Sequence, residues 1–163
     1  VPARSTDHSF SQSVREVFMS SRPISWINTA VPFVVAYYYA GGTLDMTFWA
    51  LATYFLFPYN MLVYGVNDIF DFGSDMKNPG KGGVEGSIVA PERRGLVWGV
   101  IGLTTVAWGV WLWQLLSVIE LLAMLAVVII ALTYSVKGLR FKEIPLLDSI
   151  NSSLHFVAPA FIG

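Results

Sequence analysis

The fold is decided by residues 115–132, which read LLSVIELLAMLAVVIIAL. Within this segment only Ser117 and Glu120 are polar, and both lie near its start. A core helix of a soluble protein carries a polar stripe along its outer face, and this segment has none. The pattern therefore predicts a helix that crosses a membrane, for which about 20 apolar residues are needed.

Apolar stretches of similar length occur before and after this segment. The predicted spans are residues 24–40, 46–66, 96–113 and 118–136, and a fifth span begins at 146 and is cut off at 163. The chain is 55% hydrophobic and 13% charged, and that charge content is about half of a soluble domain's. We expect an all-α, polytopic transmembrane helix bundle, of which residues 1–163 are the N-terminal part.

The basic residues are confined to alternate connections between the spans. The short connections 41–45 and 114–120 contain no Lys or Arg. All ten basic residues lie in the N-terminal segment or after the second and fourth spans: Arg4, Arg15, Arg22, Lys77, Lys81, Arg93, Arg94, Lys137, Arg140 and Lys142. Because cytosolic loops are enriched in Lys and Arg, we expect a multi-pass cell-membrane protein whose N-terminus and second connection are cytosolic.

Two further features exclude classes of function. The net charge of −1 argues against a nucleic-acid partner held by a basic surface. The chain contains no Cys, which rules out disulfide frameworks and thiolate metal sites.

The second connection opens with a dense acidic segment, Asn67-Asp68-Ile69-Phe70-Asp71-Phe72-Gly73-Ser74-Asp75. If the helix continues through it, Asn67, Asp68, Asp71 and Asp75 project from one arc about 100° wide. Like charges on one face repel each other, so a cation should compensate them. Oxygen ligands suit Mg²⁺, which also binds substrate phosphates. These four residues are predicted metal ligands, and a solvated acidic helix end is the alternative interpretation.

Cationic side chains in the same connections are candidates for binding phosphate. The Gly- and Lys-rich segment 77–86 is a candidate lid whose Lys77 and Lys81 reach phosphate oxygens, with an ordinary cytosolic loop as the alternative. The basic cluster between Tyr134 and Lys142 has an alternative interpretation as an interfacial membrane anchor.

Two polar residues inside the predicted spans leave alternatives open. Asn60 either points into a cavity or bonds to a neighbouring helix. An ionisable group in a span is a functional candidate, but a neutral His155 bonded to an adjacent helix is slightly favoured.

Two motifs resemble those of a known family. Asn67-Asp68-x-x-Asp71-x-x-x-Asp75 follows the second span, and Tyr134-Ser135-x-Lys137-x-x-Arg140-Phe141-Lys142 follows the fourth. Both resemble the corresponding segments of the UbiA-type intramembrane prenyltransferases. That resemblance implies nine transmembrane helices around a central cavity, of which about four and a half are present here. It also implies a second Asp-rich motif beyond Gly163, so this chain alone is expected to be inactive.

Residues 21–30 and 81–86 resemble, within that family, the lycopene elongases, which add five-carbon units to lycopene on the route to C50 carotenoids. The resemblance implies Mg²⁺ as cofactor, with dimethylallyl diphosphate, lycopene and membrane lipid as partners. Asp68, Asp71 and Asp75 would be catalytic and, with Asn67, would bind the metal. The diphosphate would be bound by Arg22, Lys77, Lys81, Tyr134, Lys137, Arg140 and Lys142.

Two alternative functions remain open from the sequence. One is a related prenyltransferase that takes a quinone-ring, chlorin or haem acceptor. The other is a divalent-cation transporter that uses the Asp cluster as its selectivity site. Transporter sites usually lie near the membrane midplane, whereas this cluster is predicted at the cytosolic rim.

Overall fold

A computed structural model describes residues 10–81, 86–136 and 138–163. Within these ranges the chain forms α-helices and short 3₁₀ turns and no strand. The helices are α1 (Phe10–Ser20), α2 (Trp26–Tyr39), α3 (Met46–Leu56), α4 (Pro58–Phe70), α5 (Phe72–Asp75), α6 (Arg94–Leu115), α7 (Val118–Thr133) and α8 (Pro145–Ile162). The 3₁₀ turns are Pro23–Ser25, Pro91–Arg93 and Phe141–Glu143. The all-α prediction is confirmed.

The helix bounds agree with four of the five predicted spans to within a few residues. Among the described helices, one is long and apolar enough to cross a membrane, the segment Pro91–Leu115 that includes α6. Helix α7 is also apolar but shorter. Helix α1 was not predicted. The structure thus weakly supports membrane association, and the multi-pass topology remains a prediction.

The second predicted span, 46–66, is two helices with a break at Phe57. Proline has no backbone N–H, and its ring clashes with the carbonyl four residues earlier, so Pro58 begins a new helix. The freed carbonyls are satisfied by side chains. Thr29 donates to the Phe55 carbonyl at 2.7 Å, and the Asn60 amide donates to the Phe55 and Leu56 carbonyls at 2.8 and 3.0 Å. Asn60 therefore stabilises the break, which answers the question left open by the sequence.

The helices pack around two clusters of buried apolar side chains. The larger cluster lies between α2, α3, α4, α6, α7 and α8 and includes Phe33, Phe55 and Tyr59, each fully buried. The smaller one joins α4 to α6 through Met61 and Val97. Helix α4 is buried along almost its whole length. The polar residues at its C-terminal end are therefore held on a rigid element.

Large apolar side chains are also exposed on the outside of the bundle. On α6 they include Leu103, Val106, Val110 and Trp113, and on α7 they include Ile119, which is 80% exposed. Large contiguous apolar patches mark surfaces that contact lipid or another protein.

Candidate functional site

The candidate site lies where α4 ends and three basic segments of the chain meet. Cations from the turn before α2, from the segment after α5 and from the turn before α8 all form ion pairs with carboxylates of residues 68–75. The connections that the sequence singled out for their positive charge thus converge on the acidic segment.

The first half of the cluster is built on Asp68 and Asp75. The Lys81 ammonium lies 2.7 Å from Asp68 and 3.0 Å from Asp75, so it bridges the two carboxylates. The Arg22 guanidinium lies 3.3 Å from Asp68. Asp68 is fully buried, and Asp75 and Lys81 are nearly so. The negative charges are therefore neutralised within the protein and not by water.

The second half is built on Asn67 and Asp71. Lys142 donates to the Asn67 side-chain oxygen at 3.1 Å and forms a short ion pair with Asp71. Arg140 contacts the other Asp71 oxygen at 3.2 Å. The buried Ser135 hydroxyl donates to Asn67 at 2.8 Å. Lys142 thus bridges Asn67 and Asp71, as Lys81 bridges the two carboxylates of the first half.

The arrangement differs from the single acidic arc that a continuous helix predicts. Helix α4 ends at Phe70, Asp71 caps it, and a new short helix begins at Phe72. The four polar residues consequently form two pairs, each bridged by one lysine. Among the residues that the structure describes, no three acidic or histidine side chains are grouped to hold one metal ion.

Burial dominates the electrostatics of Asp68. Desolvation raises the pKa of its carboxyl group above the ordinary value, and Lys81 and Arg22 offset only part of that effect. One of its oxygens, Oδ2, is buried without a hydrogen-bond partner in the described structure. A buried, unpaired carboxylate oxygen is costly, so it is a position where a bound cation would be stabilising.

Two arginines of the cluster have unusual backbone conformations. Arg22 (φ 48°) and Arg140 (φ 38°) are the non-glycine residues with positive φ among the described ranges. Each precedes a 3₁₀ turn. Such conformations cost about 1–3 kcal/mol and gather at functional sites. The two arginines that form ion pairs with Asp68 and Asp71 thus both have strained backbone conformations.

Gly86 allows the chain to pass close to the Asp68–Arg22 pair. Its φ is +105°, and a Cβ atom there would lie 3.0 Å from Arg22 Nε and 3.2 Å from Asp68 Oδ2. Any other residue would be strained and would push this pair apart.

A cavity of about 320 Å³ opens beside the second half of the cluster. Five predicted site residues line it: Arg22, Asn67, Asp71, Tyr134 and Lys142. Its other walls come mainly from α8 and α4 and include Tyr64, Asn151, Ser152, His155 and Phe156. One end of the cavity is therefore charged, while the other is aromatic and weakly polar.

The aromatic end is organised by His155. Its Nδ1 lies 3.1 Å from the Tyr59 hydroxyl, and its Nε2 lies 3.2 Å from the Tyr64 hydroxyl. Arg22 stacks on the Tyr64 ring with its guanidinium carbon 4.4 Å from the centroid. The favoured expectation for His155, bonding to an adjacent helix, agrees with this geometry. The residue nevertheless also lines the cavity, which the sequence did not indicate.

Of the predicted phosphate-binding residues that the structure describes, Lys77, Lys81 and Arg140 do not line the cavity. Lys77 is exposed. Lys137 lies outside the described residues, as does most of the predicted lid, residues 82–85. Tyr134 lines the cavity and makes polar contacts with Ser152 and Asp148 of α8.

The donor chemistry of the cluster fits Mg²⁺. All candidate ligands offer oxygen, which is what this hard cation prefers, and Asp68 Oδ2 is a buried oxygen without a partner. In the described conformation the lysine ammonium groups lie where a shared metal would have to lie. Asn67 and Asp71 would hold a metal at the cavity, and Asp68 and Asp75 would hold one behind it.

Chemically, the site joins a polyanion-binding end to an apolar end. Arg22, Arg140 and Lys142 offer charge-assisted donors, and Arg groups match phosphate geometry. The fold and the site together define an all-helical protein in which a cluster of carboxylates and cations lies beside a cavity at one end of its buried helix.

Comparison with known proteins gives sequence relatives with informative names. The chain is 47% identical over 147 residues to the C(50) beta-cyclic carotenoids biosynthesis protein LbtBC of Dietzia sp.. It is 42% identical over 159 residues to the lycopene elongase/hydratase of Corynebacterium glutamicum, and 36% identical over 154 residues to that of Halobacterium salinarum. No family model and no solved structure matches the chain.

These matches cover almost all of the chain but not of the relatives. They include 90%, 93% and 90% of this chain, and 34%, 53% and 53% of the three relatives. The chain thus spans between about a third and a half of the length of the curated relatives it matches.

Proposed function

We propose that the chain forms part of a membrane prenyltransferase of the UbiA type, which transfers a dimethylallyl group from its diphosphate to lycopene in C50 carotenoid biosynthesis. The observation that carries the proposal is the cavity that joins the Asn67–Asp71 cluster to an aromatic chamber. The names of the sequence relatives, lycopene elongase/hydratase among them, support the same substrate class.

The charged end of the cavity suits the diphosphate. Arg22 and Lys142 line it directly, and Arg140 approaches from Asp71. Breaking the allylic C–O bond places additional negative charge on the leaving diphosphate, and preorganised cationic donors stabilise that charge. A bound Mg²⁺ would act there as a Lewis acid and template.

The lysines supply a physical reason for metal and diphosphate to bind together. In the described conformation Lys81 and Lys142 compensate the carboxylates. If a metal and the diphosphate bound together, the carboxylates would hold the metal and the lysines would be free to bind phosphate oxygens. Total charge stays close to balanced in both states, which a buried cluster requires.

The aromatic end suits an allylic cation and a polyene. Tyr64 and Phe156 line it, and aromatic faces attract positive charge. An apolar acceptor would reach this chamber from the lipid phase.

The test uses the complete protein encoded by the gene, purified into lipid vesicles with lycopene, dimethylallyl diphosphate and Mg²⁺. We expect a carotenoid heavier than lycopene by one or two five-carbon units, and no product when the metal is chelated. Prenylation of an added quinone-ring or tetrapyrrole acceptor instead would overturn the lycopene assignment. Metal uptake into the vesicles without any prenyl transfer would favour the transporter alternative.

A further inference from the structure

The buried imidazole of His155 lies at the aromatic end of the cavity and has no part in the proposed diphosphate binding. It is 8% exposed, and it lies in helix α8 between two tyrosines of α4. A buried, polar, titratable group that lines a substrate cavity is a candidate for proton transfer.

The hydrogen bonds around His155 define which nitrogen is free to accept a proton. The Tyr59 hydroxyl lies 3.5 Å from the His155 backbone carbonyl, to which it donates. Its oxygen is then available to accept from the ring, so we assign the ring hydrogen to Nδ1. Nε2 is consequently the unprotonated nitrogen, and the Tyr64 hydroxyl, 3.2 Å away, donates to it.

Tyr64 connects this nitrogen to the cavity. Its hydroxyl bonds to His155, while its ring supports the Arg22 guanidinium.

We propose that Tyr64 and His155 together accept the proton that the prenyl-transfer reaction must release. The inference rests on the proposed function and adds catalytic residues to it. When the allylic C–O bond breaks, the acceptor's π electrons form the new C–C bond and leave a carbocation on the acceptor. Charge is restored by losing one proton, either from an adjacent carbon, whose C–H electrons become a double bond, or from a water molecule that adds its oxygen to the cation.

The released proton follows the same path in both cases. The Tyr64 oxygen takes the released proton while its own proton passes to His155 Nε2, so the tyrosine ends neutral and the histidine ends as imidazolium. The imidazolium then returns its proton through Tyr64 to the departing diphosphate. Diphosphate is the group that the reaction itself supplies at the other end of the cavity.

The experiment compares His155→Gln and Tyr64→Phe with wild type in the complete protein in lipid vesicles. The matched control is Tyr54→Phe, since Tyr54 is also a buried tyrosine of the same core cluster but does not line the cavity. The measured quantities are the rate of carotenoid product formation, the KM for dimethylallyl diphosphate and the ratio of alkene to hydroxylated products.

Loss of a proton acceptor should lower product formation about 100-fold in His155→Gln and Tyr64→Phe, and change the product ratio, with the KM for the diphosphate nearly constant. Tyr54→Phe should retain the wild-type rate and ratio. Product formation within about threefold of wild type with an unchanged ratio would overturn the inference. If His155→Gln fails to fold, Tyr64→Phe decides, because it removes one hydroxyl only. Absence of transfer in wild type would instead refute the proposed function itself.

Discussion

Replacing Lys81 by Met tests how the buried carboxylates are compensated. The substitution keeps an unbranched stem of four heavy atoms and removes the ammonium that bridges Asp68 and Asp75. Asp68 then retains Arg22 at 3.3 Å, while Asp75 loses the only cation that the described residues place beside it. The two carboxylates remain buried.

The magnitude follows from the burial of the pair. Removing one partner of a buried ion pair costs about 3–5 kcal/mol, and the retained Arg22 places the expected loss at about 3 kcal/mol. For a chain of this length, about 2–4 °C of unfolding midpoint corresponds to each kcal/mol, so we expect a decrease of about 6–12 °C. Lys77→Met is the matched control. It makes the same change four residues earlier at an exposed position, where the expected cost is within about 0.5 kcal/mol.

The assay is thermal unfolding of the detergent-solubilised protein with and without Mg²⁺. Since Lys81→Met leaves two carboxylates without their shared cation, a metal concentration about 100 times the dissociation constant should restore about 2.7 kcal/mol. Wild type and Lys77→Met should respond less, because in them the metal must displace a lysine. Equal midpoints for Lys81→Met and Lys77→Met would show that the Lys81 ammonium does not stabilise the buried carboxylates.

Three further predictions follow from individual contacts. Arg140→Lys should raise the KM for the diphosphate about tenfold, because it loses one charge-assisted hydrogen bond worth about 1.5 kcal/mol. Its control is Glu143→Gln, which removes only the exposed partner of Arg140. That control should change the KM less than about twofold in the same steady-state assay. Asn60→Leu should destabilise the protein by about 1–3 kcal/mol in chemical unfolding, because Asn60 is fully buried and donates hydrogen bonds to carbonyls at the α3–α4 break. Its control is Asn28→Leu, at an exposed position of α2. Equal loss of stability in the two variants would contradict the role of Asn60 at the break. The hydrogen bond from the backbone N–H of Phe48 lowers the pKa of the Asp45 carboxyl group. The stabilisation that the Asp45 carboxylate gives is therefore present above the ordinary pKa and is lost as pH falls through the lowered value. Thermal unfolding across that pH range should show this dependence in wild type and not in Asp45→Asn, and a dependence that persists in Asp45→Asn would belong to another group.

The helices could be predicted from the sequence because their apolar runs are long. The bounds of α2, α6, α7 and α8 follow those runs closely. The break at Phe57 was missed even though Pro58 signals it, since proline inside an apolar span is tolerated when side chains satisfy the freed carbonyls. That requirement involves Thr29, which is 31 residues from its partner Asn60. No local pattern reveals such a contact.

The sequence predicted several residues of the site but not which of them contact each other. Asn67, Asp71 and Lys142 were predicted from charge pattern and resemblance, and the structure brings them together. The pairing depends on how separate connections of the chain fold back onto α4. Lys81 bridges Asp68 and Asp75, and Lys142 bridges Asn67 and Asp71. His155 and Tyr64 meet only because α8 packs beside α4. Sequence spacing carries no information about that packing.

On the proposed function, the Asn67–Asp71 end of the cavity binds metal and diphosphate together. The most direct measurement is equilibrium binding of a non-ionisable allylic diphosphate analogue to the complete protein, with and without Mg²⁺, for wild type and Asp71→Asn. We expect binding that requires Mg²⁺ and weakens at least about tenfold in Asp71→Asn, a loss of about 1.4 kcal/mol or more. Binding that is independent of the metal, or equal in the two proteins, would contradict the account.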